Sequence, residues 1–402
     1  MLKNGIILRK VFDEICPFTE NGELLSKEER ITLLASNANK PMEIQGLAFV
    51  MASAVGQHSP QIIQMSHSCC KIMGNDPKKI SLIDETGKIT TSNYCADGVR
   101  TGSLLLDAYT EQFGTELVFL ALDHFTSPTL EQGINSGTKG NEDQKNKAKK
   151  KIENVIEFTG KQLEEEEINR FADYMVSKKY LQFREDFVES VKVGKAAWAM
   201  VDSGVLPPLL NFAVTKEIVD DVREFDESVM IEAEFNATGS SGDEEKYEFL
   251  QEKELEKFAD EIVSFVKYTK TDGIAYEIGM KHAAKQDEKH EPDIKKLELT
   301  QRKLFQELGR YIPFAQHGGT GAAELETGLV GKNNINTKYL VNGAQFLLEH
   351  CKKEEKGILT GEKKSCGVDI YTRMTAEEAK TCLEKIKETN SYGLEPKILG
   401  KI

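Results

Sequence analysis

Along this chain, short apolar runs that end in polar residues alternate with longer segments whose apolar residues recur at helical spacing. That alternation predicts strands and helices in turn. Residues 1–30 read as a helix and turn punctuated by Pro17, Asn21 and Gly22, with SKEER as a capped helix start. ITLLASNANKP then reads as a strand, MEIQGLAFVMASAVG as a helix and SPQIIQMSH as a second strand. After a looser region, 74–94, a helix through GVRTGSLLLDAYTEQFG leads to a third strand, TELVFLALDHF. KAAWAMVDSG, SVMIEAEF, DGIAYEIGMKHA, IPFAQHGGTG and ETGLVGKNNINTKY read as further strands, most of them followed by amphipathic helical segments. Eight such units predict an α/β fold, a closed (β/α)8 TIM barrel whose functional residues collect at the C-terminal ends of the strands.

Two regions break the rhythm. Residues 132–190 are dense in charge but keep apolar residues at helical spacing, as in Ile152, Val155 and Ile156 and again in Phe171, Tyr174 and Met175. They predict a helical insertion after strand 3, with KNKAKKK and LEEEE as solvated faces and termini. Residues 340–402 predict a helical extension outside the barrel. The expected organisation is one domain over 1–402.

Composition narrows the partners. At 402 residues, 39% hydrophobic and 29% charged, with mean hydropathy −0.42, the chain reads as soluble and globular. A net charge of −14 argues against nucleic acid, whose phosphates want a basic surface. Small phosphorylated ligands remain compatible, because backbone N–H groups and one or two local cations suffice to hold them. No apolar run approaches the ~18–20 residues that cross a bilayer, so no membrane partner is expected. The N-terminal segment lacks a signal-peptide core, and seven cysteines without regular spacing, two of them adjacent (Cys69 and Cys70), suit a reducing cytoplasm.

Candidate chemistry sits at the strand ends. In 312–321, an apolar run stops at His317, and Gly318, Gly319 and Gly321 would let backbone N–H groups approach an anion. The third strand ends in Asp123 and His124, the fourth in Asp202, the fifth in Glu232 and Glu234, and the sixth in His282. Three imidazoles at equivalent strand ends suit a catalytic divalent ion, most naturally zinc. His58, His67, His290 and His350 lack that context.

The segments LDHF (122–125), AMVDSG (199–204), IEAEF…GDEE (231–245), IGMKHA (278–283), HGGTG (317–321) and NNINT (333–337) occur in one order along the chain. In that order, the sequence resembles the class II, metal-dependent fructose-bisphosphate aldolases. The resemblance implies reversible cleavage of fructose 1,6-bisphosphate to dihydroxyacetone phosphate and glyceraldehyde 3-phosphate through a zinc-stabilised enediolate. It implies His124, His282 and His317 as zinc ligands, with Glu234 as an acidic residue able to approach the metal. Asp123 would be the acid/base at the C4 hydroxyl, and Glu244 (or Glu245) would move the carbon-bound proton. Gly318, Thr320, Gly321, Asn336 and Thr337 would cradle one phosphate. Asn37 and Asn334 would contact the substrate, Ser66 its phosphate end, and Arg373 the second phosphate. A monovalent cation near the phosphate site and a homodimer or larger homo-oligomer are also implied. The donor set would equally take cobalt, iron or manganese. No lysine Schiff base is required, so Lys281 and Lys332 are read as pairing with acids.

The sequence departs from the family pattern at several points. Ala121 stands where a histidine is usual, Ala283 where a glycine is usual, and Asn336 where many members carry aspartate. The link between HGGTG and GLVGKNN is also shortened. These departures keep tagatose 1,6-bisphosphate or another ketose phosphate open as substrate. A non-catalytic regulatory barrel is the reading from a different class.

Overall fold

The computed structural model describes residues 4–39, 42–74, 94–236, 247, 249–280, 291–319, 325–353 and 369–401. Eight parallel strands close into a barrel in sequence order: β1 (Leu33–Asn37), β2 (Gln61–Ser66), β3 (Val118–Thr126), β4 (Trp198–Asp202), β5 (Met230–Phe235), β6 (Gly273–Tyr276), β7 (Phe314–Gln316) and β8 (Val330–Ile335). β8 returns to pair with β1, Leu33 opposite Lys332 and Ala35 opposite Asn334. The strands read as nearly continuous apolar runs because both faces are covered, by helices outside and by packed side chains within.

The inside of the barrel is divided by polarity. Leu33, Ala35, Ile62, Phe119, Ala121, Trp198 and Met230 form one apolar cluster with Leu8, Val11, Phe12 and Ile15 of α1 (Asn4–Glu14). α1 therefore stoppers the end where the strands begin, its Phe12 ring 5.4 Å from Trp198. Gly5 makes that docking close, since a Cβ there would lie 2.2 Å from the Ser228 carbonyl oxygen. Towards the opposite end the interior turns polar, with Asn37, Gln64, Asp123, Glu232, Glu234, His317 and Asn334 all buried.

The helices α2 (Gln45–Val55), α3 (His67–Met73) and α4 (Tyr94–Phe113) follow the first two strands. α5 (Leu130–Ile134), α6 (Glu142–Thr159), α7 (Glu165–Met175) and α8 (Lys178–Gly194) follow the third. Of these, α8 lies between α4 and α9 (Pro208–Phe225), the place of the ordinary barrel helix. The added structure is thus the excursion α5–α7. Glu217 of α9 fastens it to that helix by taking Lys151 Nζ at 2.6 Å, and also takes Arg184 Nη1 at 3.2 Å and the Tyr180 hydroxyl from α8. Beyond β8, α12 (Thr337–Lys353) packs on α13 (Asp369–Glu388), and α13 packs on α2 and β1, so the C-terminal segment completes the outer layer.

Two local expectations change. SKEER forms a single turn, with Ser26 bonded to Glu29, because the chain enters β1 at once and no apolar face continues to propagate a helix. The stretch after Ser66, read as the end of a strand, is α3, whose first turn is capped by the Ser66 hydroxyl accepting from Cys69 N–H at 3.3 Å.

Candidate active site

In an even strand, Asp123 and His124 would point to opposite faces. Here the β3–β4 register shifts between Leu122 and Phe125, and His124 adopts φ +47°. A bulge of this kind re-aims consecutive side chains. The left-handed backbone of a histidine is a strained conformation that its surroundings must hold in place.

Around that bulge His124, Glu234 and His317 converge, one potential ligand atom from each lying within 4.8 Å of the others. The imidazole centroids of His124 and His317 are 4.5 Å apart. Glu234 comes from β5, and its backbone carbonyl accepts from Asn211 Nδ2 at 3.0 Å, fixing the strand end. Two imidazoles and a carboxylate match the donors and spacing that a divalent ion uses. The electrostatics agree. Burial by itself would lower the His124 pKa, but the charge of Asp123, the bond and charge of Asp202 and the charge of Glu234 raise it to about 10. A pocket that favours an imidazolium so strongly also favours a cation in its place. Burial and repulsion from His124 lower the His317 pKa, against the pull of Glu232. The residues present therefore fit a divalent metal.

Each histidine leans on a carboxylate. His124 Nδ1 lies 3.4 Å from Asp202 Oδ2, which also accepts from Thr126 Oγ1 at 2.8 Å. Burial opposes ionisation of Asp202, but these contacts lower its pKa to about 2. His317 Nε2 lies 3.3 Å from Glu232 Oε1.

Asp123 is only 1% exposed and is held by amides, with Asn37 Nδ2 at 2.6 Å, Gln64 Nε2 at 2.7 Å and Asn334 Nδ2 at 3.5 Å. Among the described residues, the amide oxygens of Asn37, Gln64 and Asn334 are buried without hydrogen-bond partners, as are those of Asn333 and Asn336. Such a concentration of unsatisfied acceptors at the strand ends is what a polyhydroxylated ligand would relieve.

The remaining sequence candidates are spread more widely. Gly318 has φ +69°, and a Cβ on Gly319 would sit 2.1 Å from Asn333 Oδ1 and 2.9 Å from the Asn334 carbonyl oxygen. Asn336 and Thr337 begin α12, the Asn336 carbonyl accepting from Tyr339 N–H at 3.0 Å. The Ser66 hydroxyl is engaged locally, capping α3 and donating to Asn39 Oδ1 at 3.2 Å. Arg373 is exposed in the first turns of α13, on the outer layer. Lys332 is fully buried and paired with Glu232 at 2.7 Å. His282, Glu244, Glu245, Thr320 and Gly321 lie outside the described residues.

Sequence reading gave no role to Gln64 or Asn333, and left Asp202 and Glu232 as strand-end acids without one. The period-two spacing of Glu232 and Glu234 was a usable signal, because it puts both on the barrel's inner face.

The family model for class II fructose-bisphosphate aldolase matches residues 25–394. The chain belongs to that family. Among solved structures, a fructose-bisphosphate aldolase from Campylobacter jejuni superposes with TM-score 0.57 at 15% identity, covering 97% of this chain and 95% of that one. The YdjI aldolase from Escherichia coli K12 gives TM-score 0.48 at 14% identity, covering 91% of this chain and 94% of that one. At these identities the solved structures speak to the barrel fold alone. A search of curated proteins finds no significant match. No helix among the described residues of this aldolase-family chain is long and apolar enough to cross a membrane.

Proposed function

We propose that this chain is a metal-dependent aldolase that reversibly cleaves fructose 1,6-bisphosphate into dihydroxyacetone phosphate and glyceraldehyde 3-phosphate. The observation that carries the reading is the convergence of His124, Glu234 and His317 beside the amide-held carboxylate of Asp123, in a barrel of the class II aldolase family. His124, His317 and Glu234, with His282 by resemblance, would hold the ion, and zinc suits these donors best. A divalent ion in this place supplies Lewis-acid polarisation of the substrate carbonyl.

The chain's own residues do the rest. Asp123 accepts the proton of the C4 hydroxyl, the C3–C4 bond breaks, C4 becomes the aldehyde carbon, and the electron pair stays with C3. The three amides that donate to Asp123 fix which carboxylate lone pair meets that hydroxyl. Glu244, by resemblance, returns a proton to C3. Gly318 and Gly319, with Thr320, Gly321, Asn336 and Thr337, hold the phosphate nearer the carbonyl, with a monovalent cation beside it, and Arg373 serves the other phosphate. A homo-oligomer in a cytoplasmic setting accompanies the reading.

Ala121 favours one variation. It lies two residues before Asp123 on β3, buried in the apolar cluster beneath the acid that works at C4. Tagatose 1,6-bisphosphate differs from the fructose compound at that carbon, so it is the alternative substrate.

The test is cleavage of both sugars by purified protein, before and after chelation and after zinc is restored. Cleavage of the fructose compound that stops with chelator and returns with zinc is the expected result. Cleavage of the tagatose compound alone shifts the substrate assignment. Zinc-loaded protein that cleaves neither would overturn the fructose 1,6-bisphosphate reading.

A further inference from the structure

Beneath the candidate metal centre lies a second buried array. Glu232 of β5 is wholly buried and splits its two oxygens between different tasks. Oε2 accepts from Trp198 Nε1 of β4 at 2.6 Å and from Lys332 Nζ of β8 at 2.7 Å. Oε1 faces His317 Nε2 at 3.3 Å. Lys332 also lies 5.4 Å from the centre of the Trp198 ring. Three strands and the turn after β7 thus meet through one carboxylate inside the barrel.

We propose that Glu232 and Lys332 form a positioning pair that sets the tautomer and aim of His317 for metal binding, an inference that rests on the metal-dependent reading above. With Oε2 pinned by two donors, the carboxylate cannot turn, and Oε1 is presented to one imidazole nitrogen. That contact commits Nε2 as the proton-bearing nitrogen and leaves the lone pair on Nδ1, the nitrogen then available to a cation. Lys332 supplies the compensating charge. Without it, one of the two donors that hold Oε2 is lost, and the carboxylate is free to rotate away from the imidazole. Stability alone gives little reason for such a pair, because well-packed apolar side chains commonly serve a barrel interior as well as a buried ion pair does. Neither residue belongs to the group His124, Glu234 and His317 that could hold the ion, so both act through His317, which Glu232 contacts.

The experiment measures zinc affinity of the full chain by competition with a chromophoric chelator, for the parent, Glu232→Gln, Lys332→Met and the double variant. Circular dichroism of the metal-free forms reports folding. Loss of about 10- to 100-fold in affinity is expected for E232Q, with weakening in K332M as well. In the double variant the losses should not add, since both act through one imidazole. The visible spectrum of the cobalt-loaded protein should change in E232Q, a readout that simple loss of stability does not move. If Lys332→Met does not fold, Trp198→Phe removes the other Oε2 donor and takes its place. Folded variants that bind zinc within about threefold of the parent, with an unchanged cobalt spectrum, overturn the pair's role while leaving the aldolase reading intact. A parent chain that takes up no zinc overturns both.

Discussion

At the scale of single residues, the site combines groups of different legibility. His124, His317, Glu234 and Asp123 stand out in the sequence because charged or ligating side chains end apolar runs. The amides that hold Asp123 do not stand out. Gln64 sits inside QIIQMS and looks like an ordinary strand residue until β2 is seen beside β3, opposite Ala121. Gly319 shows the same dependence on neighbours. Its sequence context marks a glycine-rich turn open to an anion, whereas the structure places it against Asn333 and the Asn334 backbone. Gly319→Ala should therefore displace the turn and raise KM for the bisphosphate roughly tenfold, about 1.4 kcal/mol, with a smaller effect on kcat. Steady-state kinetics on the zinc-loaded enzyme checks this, and an unchanged KM would remove the turn from phosphate binding.

At the scale of elements, the third strand and the helices after it matter most. A regular β3 could not bring both Asp123 and His124 to the pocket, and nothing in VFLALDHFT announces the bulge that does so. The helix α8 is tied to α3, just past the end of β2, through Asp186, whose carboxylate meets Gln182 at 2.9 Å, Lys71 at 3.8 Å and His67 at 3.9 Å. Burial opposes its ionisation, but the contacts from His67 and Gln182 and the charge of Lys71 lower its pKa below the ordinary 3.8. A lowered carboxylate stabilises the fold above its unfolded pKa and loses that contribution as the pH falls through the folded value. Asp186→Asn should thus cost about 1 kcal/mol at neutral pH, and the gap from the parent should close below pH 3.8. Urea midpoints across that range test it, and a gap that widens in acid would contradict the assignment. His67 stacks on Phe125 with centroids 4.6 Å apart, so this link reaches the residue beside His124.

At the scale of the whole molecule, the barrel is a vessel with a sealed floor and a polar mouth. α1 supplies the floor, and the interior grades from Phe12 and Trp198 through the Glu232–Lys332 pair to the candidate metal centre. Phe12→Ala would empty the floor beneath Trp198, the indole that also holds Glu232. It should lower stability by about 3–5 kcal/mol, as large aromatic truncations in cores do. It should also weaken zinc binding modestly through the loosened indole. Denaturant unfolding and the chelator competition measure the two effects separately. A full loss of stability with undisturbed zinc binding would show that floor and mouth are energetically independent.

The sequence by itself determined the alternation of strands and helices, hence the eight-stranded barrel, and it marked the strand-end histidines and acids. Those features are local, since periodicity and the abrupt end of an apolar run can be read within a dozen residues. Only the tertiary structure decided which buried polar residues face one another. Trp198, Glu232 and Lys332 come from three strands and His317 from the turn after β7, while Asn37, Gln64, Asp123 and Asn334 come from β1, β2, β3 and β8. Barrel closure sets these meetings through strand register and two irregularities in it, one in β3 and one between β7 and β8. A shift of one residue turns every side chain of a strand to the opposite face, so the partners of Asp123 and of His317 appear only once all eight strands are in place.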